Sequence, residues 1–389
     1  MTRSRPFDPP DEYARLRAEQ PIGKVSLPTG KTAWAVASHA YVRQLFADSR
    51  LSSRREHPGF PAVMELSDEL RQVLVPSILG LDAPEHTAIR RSVITEFTVR
   101  RIQALRPAIQ RIVDAHVDAL LAGERPADLV AALALPVPSL VVCELLGVPY
   151  EDHNFFQERS QATLDLTLSA ASRIAAVHDL NDFLDVLVSR AESDPGDDLL
   201  GRLIVKNRAA GVYDHQETTD LARLLLVAGH ETTANMISLG ITALLDNPGQ
   251  LDRLRDDASL WPQAVEELLR YFTIADFVPH RVALKDIEIG GVTIAAGDGV
   301  LLLTAAADRD PEAFADPDTL DVDRGARNHV AFGYGVHQCL GQNLARLELE
   351  IVYRTLFERI PDLKIVDHDE LSFKDESMIY GMHRLPATW

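Results

Sequence analysis

The stretch FGYGVHQCLG, residues 332–341, places a cysteine where a glycine-rich bend runs into a helical pattern. Gly333 and Gly335 allow backbone turns that a side chain would forbid. From Leu340 onward, leucine and isoleucine recur every three or four residues, which predicts a helix. Cys339 should therefore lie at or just before a helix N-terminus, where unpaired N–H groups favour a thiolate. A thiolate held on a bend is either a nucleophile or a metal ligand.

A second candidate site is VAGHETTANM, residues 227–236, in the middle of a long apolar helical stretch. Gly229 weakens a helix locally, and threonine hydroxyls compete for backbone carbonyls. A carboxylate such as that of Glu231 must be paired there or face a wet cavity. Two interpretations stay open: a kink with satisfied polar groups, or a notch where a small ligand binds beside a hydroxyl and an acid.

The segment EELLR, residues 266–270, carries Glu267 and Arg270 on one helix face. Such a pair usually lies on the surface, where it contributes about 0–1 kcal/mol. Apolar neighbours make burial possible here. A buried pair would need further hydrogen bonds, so a third partner is expected.

The segment DAPEHTAIRR, residues 82–91, places His86 and Arg90 four residues apart on one face. It is either an ordinary capped helix N-terminus or a pair of cations that hold an anionic cofactor. Arg281 and His337 are further candidates for the second role. The sequence has no phosphate-binding glycine motif, so a nucleotide cofactor is not expected.

Composition narrows the class of protein. The chain has 389 residues, 46% apolar residues and a net charge of −19, which argues against nucleic-acid binding. Two cysteines exclude a disulfide framework and a cysteine-ligated iron–sulfur cluster within the chain. Cys143 is expected to be a small core residue. We see no signal peptide and no membrane anchor, and we expect a cytoplasmic protein.

The hydrophobic pattern predicts a mainly α protein with a small β portion, folded as a single domain over residues 1–389. The predicted helices are roughly 39–47, 86–96, 102–122, 138–146, 155–165, 171–192, 218–245, 261–271 and 342–359. The predicted strands lie at 32–37, within 282–297 and at 299–305, and IEIGGVTI carries a Gly-Gly hairpin signal.

Together these motifs resemble those of the cytochrome P450 family. FGYGVHQCLG looks like its haem-binding signature, AGHETT like its oxygen-binding helix motif, and EELLR like its Glu-x-x-Arg motif. DAPEHTAIRR is similar to the haem-contacting helix of the soluble bacterial members. DRDPEAF, LDVDR and HVAFG fit the segment before the haem loop, and the matches follow the family's order from about residue 80 to the C-terminus. Asp308 is a small departure, because relatives often have asparagine there.

The resemblance implies a helical domain that sandwiches haem, plus small β-sheets, and it assigns roles residue by residue. Cys339 would be the axial thiolate on the iron, and Thr232 and Glu231 would handle oxygen and its protons. The loop residues that pack beside the thiolate or permit the close loop would be Phe332, Gly333, Gly335 and Gly341. Ala228 and Gly229 would also contact the cofactor. The haem propionates would be held by His86, Arg90, Arg281 and His337. The buried triad bracing the haem loop would be Glu267, Arg270 and Arg324.

The implied function is a haem-thiolate monooxygenase that uses haem b and O2. It would hydroxylate or epoxidise a hydrophobic small molecule, either tailoring a secondary metabolite or oxidising a foreign compound. Electrons would come singly from ferredoxin and an NAD(P)H-linked ferredoxin reductase, because the chain has no flavin or iron–sulfur module. The alternatives are a peroxide-using haem-thiolate enzyme and a haem sensor or carrier, and an intact Thr232 and Glu231 argue against both.

Two surfaces of this expected enzyme can be placed on the sequence. The substrate walls should be the loop near 58–81, the helices near 155–190, the segment 273–280 and the turn 376–381, which are apolar enough for such a pocket. Because the chain is acidic overall, ferredoxin needs a local basic patch on the cysteine side of the haem. The candidates for that patch are Arg91, Arg100, Arg101 and Arg346.

Overall fold

A computed structural model of the protein describes residue 3 and residues 5–63, 78–149, 152–164, 168–276, 278–375, 377 and 379–389. Helices dominate the described part. They are α1 (Asp11–Glu19), α2 (His39–Phe46), α3 (Glu85–Val93), α4 (Val99–Ala104), α5 (Arg106–Ala122), α6 (Pro136–Leu146), α7 (His153–Leu164), α8 (Ala170–Ser193), α9 (Leu199–Ala209), α10 (His215–Asp246), α11 (Pro248–Asp256), α12 (Trp261–Phe272), α13 (Thr304–Ala307) and α14 (Gln342–Arg359).

The predicted helices agree with these elements to within a few residues at most ends. The stretch 102–122 is two helices, α4 and α5, and a 3-10 turn at Ile94–Phe97 follows α3. The sequence pattern missed α1 and α11, which are short and strongly polar, and α9, which is short but has an apolar face. The expected kink in α10 does not interrupt the helix, which runs unbroken from His215 to Asp246.

The strands are β1 (Ile22–Ser26), β2 (Thr32–Val36), β3 (Leu51–Ser52), β4 (Ala127–Asp128), β5 (His280–Ala283), β6 (Ile287–Ile289), β7 (Val292–Ile294), β8 (Gly299–Leu302), β9 (Lys364–Ile365) and β10 (Pro386–Thr388). They form sheets in the orders β1-β2-β8-β5-β3, β4-β10-β9 and β6-β7. In the five-stranded sheet, only the β2–β8 pair is parallel among the described strands.

Two of the strand predictions have clear outcomes. The β6–β7 hairpin is confirmed, and its turn residues Gly290 and Gly291 have φ of 56° and 79°, as a tight hairpin of this hand requires. The strand predicted at 299–305 is wrong in its second half, because β8 ends at Leu302 and α13 follows. Its alanines and leucines are buried in either state, so the apolar run could not mark the boundary.

The main core lies between the helices. It is formed by apolar side chains of α5, α6, α10, α12 and α14, and α10 packs against both α6 and α14. Smaller clusters cover the two faces of the five-stranded sheet. The predicted architecture, mainly helical with small sheets, is therefore confirmed. Within the described ranges, no helix combines the length and the apolarity needed to cross a lipid bilayer.

A buried ion cluster joins α12 to the segment before the cysteine loop. The side chains of Glu267 and Arg270 are both 0% exposed, and Nε and Nη2 of Arg270 donate to the two carboxylate oxygens at 2.7 and 2.8 Å. Nε of Arg324 donates to Oε1 of Glu267 at 3.1 Å, which is the third partner that burial demanded. Nη1 of Arg270 also donates to the carbonyls of Asp308 and Pro317, both at 2.8 Å.

Asp308 reinforces the same junction from a fully buried position. Its carboxylate accepts a bond from the hydroxyl of Thr273 at 2.8 Å and one from the N–H of Val330 at 2.8 Å. Burial raises the pKa of Asp308 above its usual range. The departure from asparagine therefore keeps a side chain that ties the end of α12 to the start of the cysteine loop.

We predict that Arg270→Ala prevents stable folding or retention of a bound cofactor. The change would leave Glu267 buried without its main cation, at a cost of about 3–5 kcal/mol. Denaturant unfolding measures the loss. The matched control is Arg253→Ala, which removes an exposed pair with Asp323 at 3.0 Å and should cost little. Equal stabilities of the two variants would show that the buried cluster does not brace the fold.

Candidate active site

The cysteine loop is a tight turn held by its own backbone. The N–H of Cys339 donates to the carbonyl of Phe332 at 2.9 Å, and the N–H of Gly333 donates to Val330 at 2.8 Å. Gly333 and Gly335 have φ of 67° and 75°, which favours glycine. A Cβ on Gly335 would also lie 2.8 Å from the carbonyl oxygen of Phe46.

Gly341 differs from the other two loop glycines. It has φ of −80°, and a Cβ there would meet no heavy atom within 4 Å among the described residues. The contacts of the protein alone therefore do not demand glycine at this position. Its backbone N–H, like that of Gln342 at the start of α14, hydrogen-bonds toward the sulfur of Cys339.

The environment of Cys339 corrects one expectation. Burial raises the pKa of this thiol and outweighs the N–H groups of the helix N-terminus and the nearby Arg90 and Arg346. The helix end alone therefore does not produce a thiolate. Metal coordination deprotonates a thiol outright, so the donor set fits a metal ligand better than a free nucleophile. Cys143 is buried and free, as expected of a core residue.

Four cationic groups gather beside the cysteine loop. The rings of His86 and His337 lie 4.0 Å apart between centroids, and Nη2 of Arg90 donates to the carbonyl of Gln338 at 2.6 Å. Burial, then Arg281 and His86, lower the pKa of His337 to about 3. Burial also lowers the pKa of Arg281 to about 10. The predicted set is therefore brought together, and Arg90 and Arg281 disfavour the charged forms of His86 and His337.

This cluster passes a simple test for an anionic ligand. Nε2 of His86 is buried and has no hydrogen-bond partner in the described part of the chain. Burial and then the charge of Arg90 lower the pKa of His86, while Asp82 opposes them. Carboxylate oxygens beside these groups would satisfy the orphaned nitrogen and favour the cationic forms.

Helix α10 presents a polar notch in an otherwise buried stretch. Ala228 is exposed and Thr232 is partly exposed, although Leu226 and His230 are buried. The hydroxyl of Thr232 donates to the carbonyl of Ala228 at 2.6 Å. The helix runs unbroken through this stretch and leaves Ala228 and Thr232 accessible, whereas Nδ1 of His230 and Oε2 of Glu231 have no hydrogen-bond partner among the described residues.

Sequence reasoning missed the partners of Glu231. Its Oε1 is bound by the ammonium of Lys374 and, at 3.3 Å, by the amide of Asn235, which lies one turn further along α10. The spacing of four residues could have indicated Asn235. Nothing in the sequence around Lys374 could have indicated its contact, because 143 residues separate it from Glu231.

A second missed contact sits on the other side of the cysteine loop. Glu266 accepts bonds from His329 at 3.0 Å and from Nε of Arg346 at 2.6 Å. Burial opposes its ionisation, but these two hydrogen bonds lower the pKa of Glu266 to about 2. Arg346 also lies over the ring of Phe332, with 4.6 Å from its guanidinium carbon to the ring centroid. Arg346 is thus committed to an internal contact, which removes it from the predicted basic patch.

The predicted substrate walls are only partly described. Residues 64–77, 165–167, Phe277, Glu376 and Met378 lie outside the described residues. Within the described part, the segment 273–280 and the turn 376–381 meet where the N–H of Tyr380 donates to the carbonyl of Ile274 at 3.1 Å.

Comparisons with known proteins agree with this geometry. The family model described as Cytochrome P450 matches residues 153–388. Pentalenic acid synthase of Streptomyces avermitilis is 50% identical over 392 residues, covering 100% of this chain and 96% of that protein. Vitamin D3 dihydroxylase of Streptomyces griseolus is 47% identical over 389 residues, covering 100% and 95%.

A solved structure gives the same result in three dimensions. The crystal structure of cytochrome P450 MoxA from Nonomuraea recticatena superposes with a TM-score of 0.95 at 53% identity, covering 100% of this chain and 97% of that one. Family match, full-length relatives and fold all coincide with the motif residues described above. The chain therefore belongs to the cytochrome P450 family, whose members are haem-thiolate monooxygenases.

Proposed function

We propose that the protein, as a single domain over residues 1–389, is a haem b monooxygenase with Cys339 as the axial ligand. The observation that carries this assignment is the cysteine loop, in which glycine turns and the N–H groups at the start of α14 surround one sulfur. Phe332 and Gly333 shape the near side of the loop. Ala228 and Gly229 belong to the face of α10 that would lie against the cofactor.

The cationic cluster would hold the two propionates of haem b. His86, Arg90, Arg281 and His337 supply the donors, and the orphaned Nε2 of His86 supports an anionic partner there. Ser53 is a further member of the cluster, because its hydroxyl lies 3.1 Å from Nε2 of His337. The sequence alone did not reveal this contact.

Bound haem thiolate supplies the activation of O2 and the insertion of one oxygen atom into an unactivated bond. The residues of the chain would supply orientation, protons and exclusion of water. We assign Glu231 to hold and transfer a proton and Thr232 to pass it on from its hydroxyl. The triad of Glu267, Arg270 and Arg324 fixes the segment that precedes the loop.

The substrate we propose is a hydrophobic small molecule, either a secondary metabolite or a foreign compound. The support is the apolar character of the wall segments and the names of two relatives, a pentalenic acid synthase and a vitamin D3 dihydroxylase. Because walls vary on a common fold, these names do not fix the ligand. Adding candidate metabolites and recording the haem spin state would identify it.

The electron donor we propose is a ferredoxin, served by an NAD(P)H-linked reductase in the cytoplasm. Arg91 and Arg100 support it, since both are exposed and have no ion-pair partner among the described residues. Helix α3, which carries Arg91, contacts the loop through Arg90, and α4, which carries Arg100, packs against α14. Arg101 is a weaker candidate for the docking patch, because its Nε forms an ion pair with Glu96 at 3.8 Å.

We predict that Cys339→Ser removes the thiolate-type band from the carbon-monoxide difference spectrum of the reduced protein. A serine hydroxyl is not a thiolate donor, so the spectrum should change even if haem still binds. Cys143→Ser is the matched control and should keep the band. A wild-type band in the Cys339 variant would overturn the assignment of the axial ligand.

We predict that Glu231→Gln diverts reducing equivalents from product to peroxide. An amide cannot transfer a proton as a carboxyl does, and loss of a general acid typically costs about 10²–10⁴-fold in rate. Product and peroxide formed per NAD(P)H oxidised are measured together. Unchanged coupling would exclude Glu231 from proton delivery and would leave the peroxide-using alternative open.

We predict that the double variant Arg91→Glu and Arg100→Glu is reduced more slowly by ferredoxin and shows a flatter dependence on salt. Reversing both charges removes the favourable potential that speeds encounter. Reduction is followed by stopped flow at low and high salt. Arg384→Glu, at an exposed site paired to Asp128, is the control. Peroxide-driven turnover should survive in both, and unchanged reduction at low salt would place the docking patch elsewhere.

A further inference from the structure

The C-terminal hairpin is seated directly on the acid of helix α10. Phe373 and Met382 form an antiparallel bridge, and the N–H of Lys374 donates to the carbonyl of Gly381 at 2.9 Å. A Cβ on Gly381 would lie 2.0 Å from Oδ1 of Asn235, so only glycine allows this approach. The two arms of this hairpin, residues 373–375 and 379–382, therefore lie directly against α10.

Lys374 occupies the centre of this contact. Its side chain is 14% exposed, and its ammonium bonds both Oε1 of Glu231 and, at 3.0 Å, Oδ1 of Asn235. Since Asn235 donates to the same Oε1, one carboxylate oxygen is bound twice. The other oxygen, Oε2, is buried and has no hydrogen-bond partner within the described part of the chain.

Among the described residues, no neighbouring group replaces Lys374 as the cation. His230 precedes Glu231, but its Nε2 lies 3.1 Å from the carbonyl of Leu135, and burial lowers the pKa of His230. It is therefore neutral near pH 7. A carboxylate that is 7% exposed needs a compensating positive charge, and Lys374 provides it.

Resting on the monooxygenase function above, we propose that Lys374 is a positioning residue for Glu231. It holds Oε1 so that Oε2 is the oxygen that carries and releases the proton. A proton on Oε2 can leave toward Thr232, and Glu231 then returns to the carboxylate that Lys374 and Asn235 stabilise. Without Lys374 the carboxyl group can rotate, and Oε2 is then no longer the only oxygen that carries the proton.

The hairpin also makes this arrangement responsive to the substrate. Its turn is one of the expected substrate walls, and Tyr380 in that turn bonds Ile274 in another wall segment at 3.1 Å. A ligand that presses on either segment acts on the same hairpin that carries Lys374. We therefore expect the bound substrate to influence proton delivery through the contact between Tyr380 and Ile274.

The main test compares Lys374→Met with Lys374→Arg and Lys364→Met in the haem-loaded protein. Lys364 is an exposed lysine on β9 and is the matched control. Lys374→Met should lower product formed per NAD(P)H several-fold and raise peroxide, Lys374→Arg should restore most of the coupling, and Lys364→Met should match wild type. If Lys374 had only a structural role, restoring the positive charge with arginine would not restore coupling. Wild-type coupling in Lys374→Met would overturn the proposal.

A readout that does not use turnover is hydrogen–deuterium exchange of the hairpin, measured by mass spectrometry. Lys374→Met should speed exchange in residues 373–382, and Lys364→Met should not. Gly381→Ala tests the contact between the hairpin and α10, because the added Cβ displaces the hairpin while Lys374 stays intact. This variant should reproduce the loss of coupling. A Gly381→Ala protein with faster exchange and full coupling would contradict the link to the hairpin.

The experiments distinguish an error in the proposed function from an error in the role of Lys374. If Glu231→Gln leaves coupling unchanged, proton delivery by Glu231 is wrong and the role of Lys374 falls with it. If Glu231→Gln uncouples the enzyme while Lys374→Met does not, only the positioning role of Lys374 is lost.

Discussion

One buried carboxylate organises the approach to the cysteine loop. Oε1 of Glu267 accepts bonds from Arg270, from Arg324 and from the backbone N–H of Asp321, the last at 3.0 Å. Through Arg270 it also fixes the carbonyls of Asp308 and Pro317. Because Glu267 and Arg270 are fully desolvated, each depends on the other and on their further partners for its charge to be tolerated. The segment 308–324 is therefore held as a unit, and the loop that ends at Cys339 starts from a fixed point.

The residue before Glu267 extends this control to the loop itself. Consecutive positions on a helix point in different directions, so Glu266 and Glu267 hold different parts of the chain. Glu266 binds His329, before the loop, and Arg346, after it, with a pKa of about 2 that keeps it ionised. Helix α12 thus fixes the loop at its approach, its entry and its exit. A short helix with two adjacent glutamates explains how a flexible glycine-rich turn keeps its sulfur in place.

Sequence patterns predicted the parts of this protein that depend on local spacing. The helical repeat located α10, α12 and α14, and Glu267, His86 and Cys339 lie on or directly beside the predicted helices. The pattern failed where the partner is distant along the chain. Lys374 and Glu231 are 143 residues apart, and the commitment of Arg346 to Glu266 spans 80.

The cationic cluster shows why the cofactor counts as part of the fold. His86, His337 and Arg281 each have a lowered pKa, with burial as the first cause and the charge of a nearby arginine contributing in each case. Such a set is destabilising until an anion lies against it, and a ligand that binds only the folded chain stabilises that fold. Haem would satisfy both sites, because its propionates would lie against the cations and its iron would bind Cys339. The residues that serve the cofactor are constrained by this requirement, whereas Tyr380 in the hairpin turn and the segment 273–280 would line the substrate pocket. That division explains why the chemistry of this enzyme can be deduced from its residues while the identity of its substrate cannot.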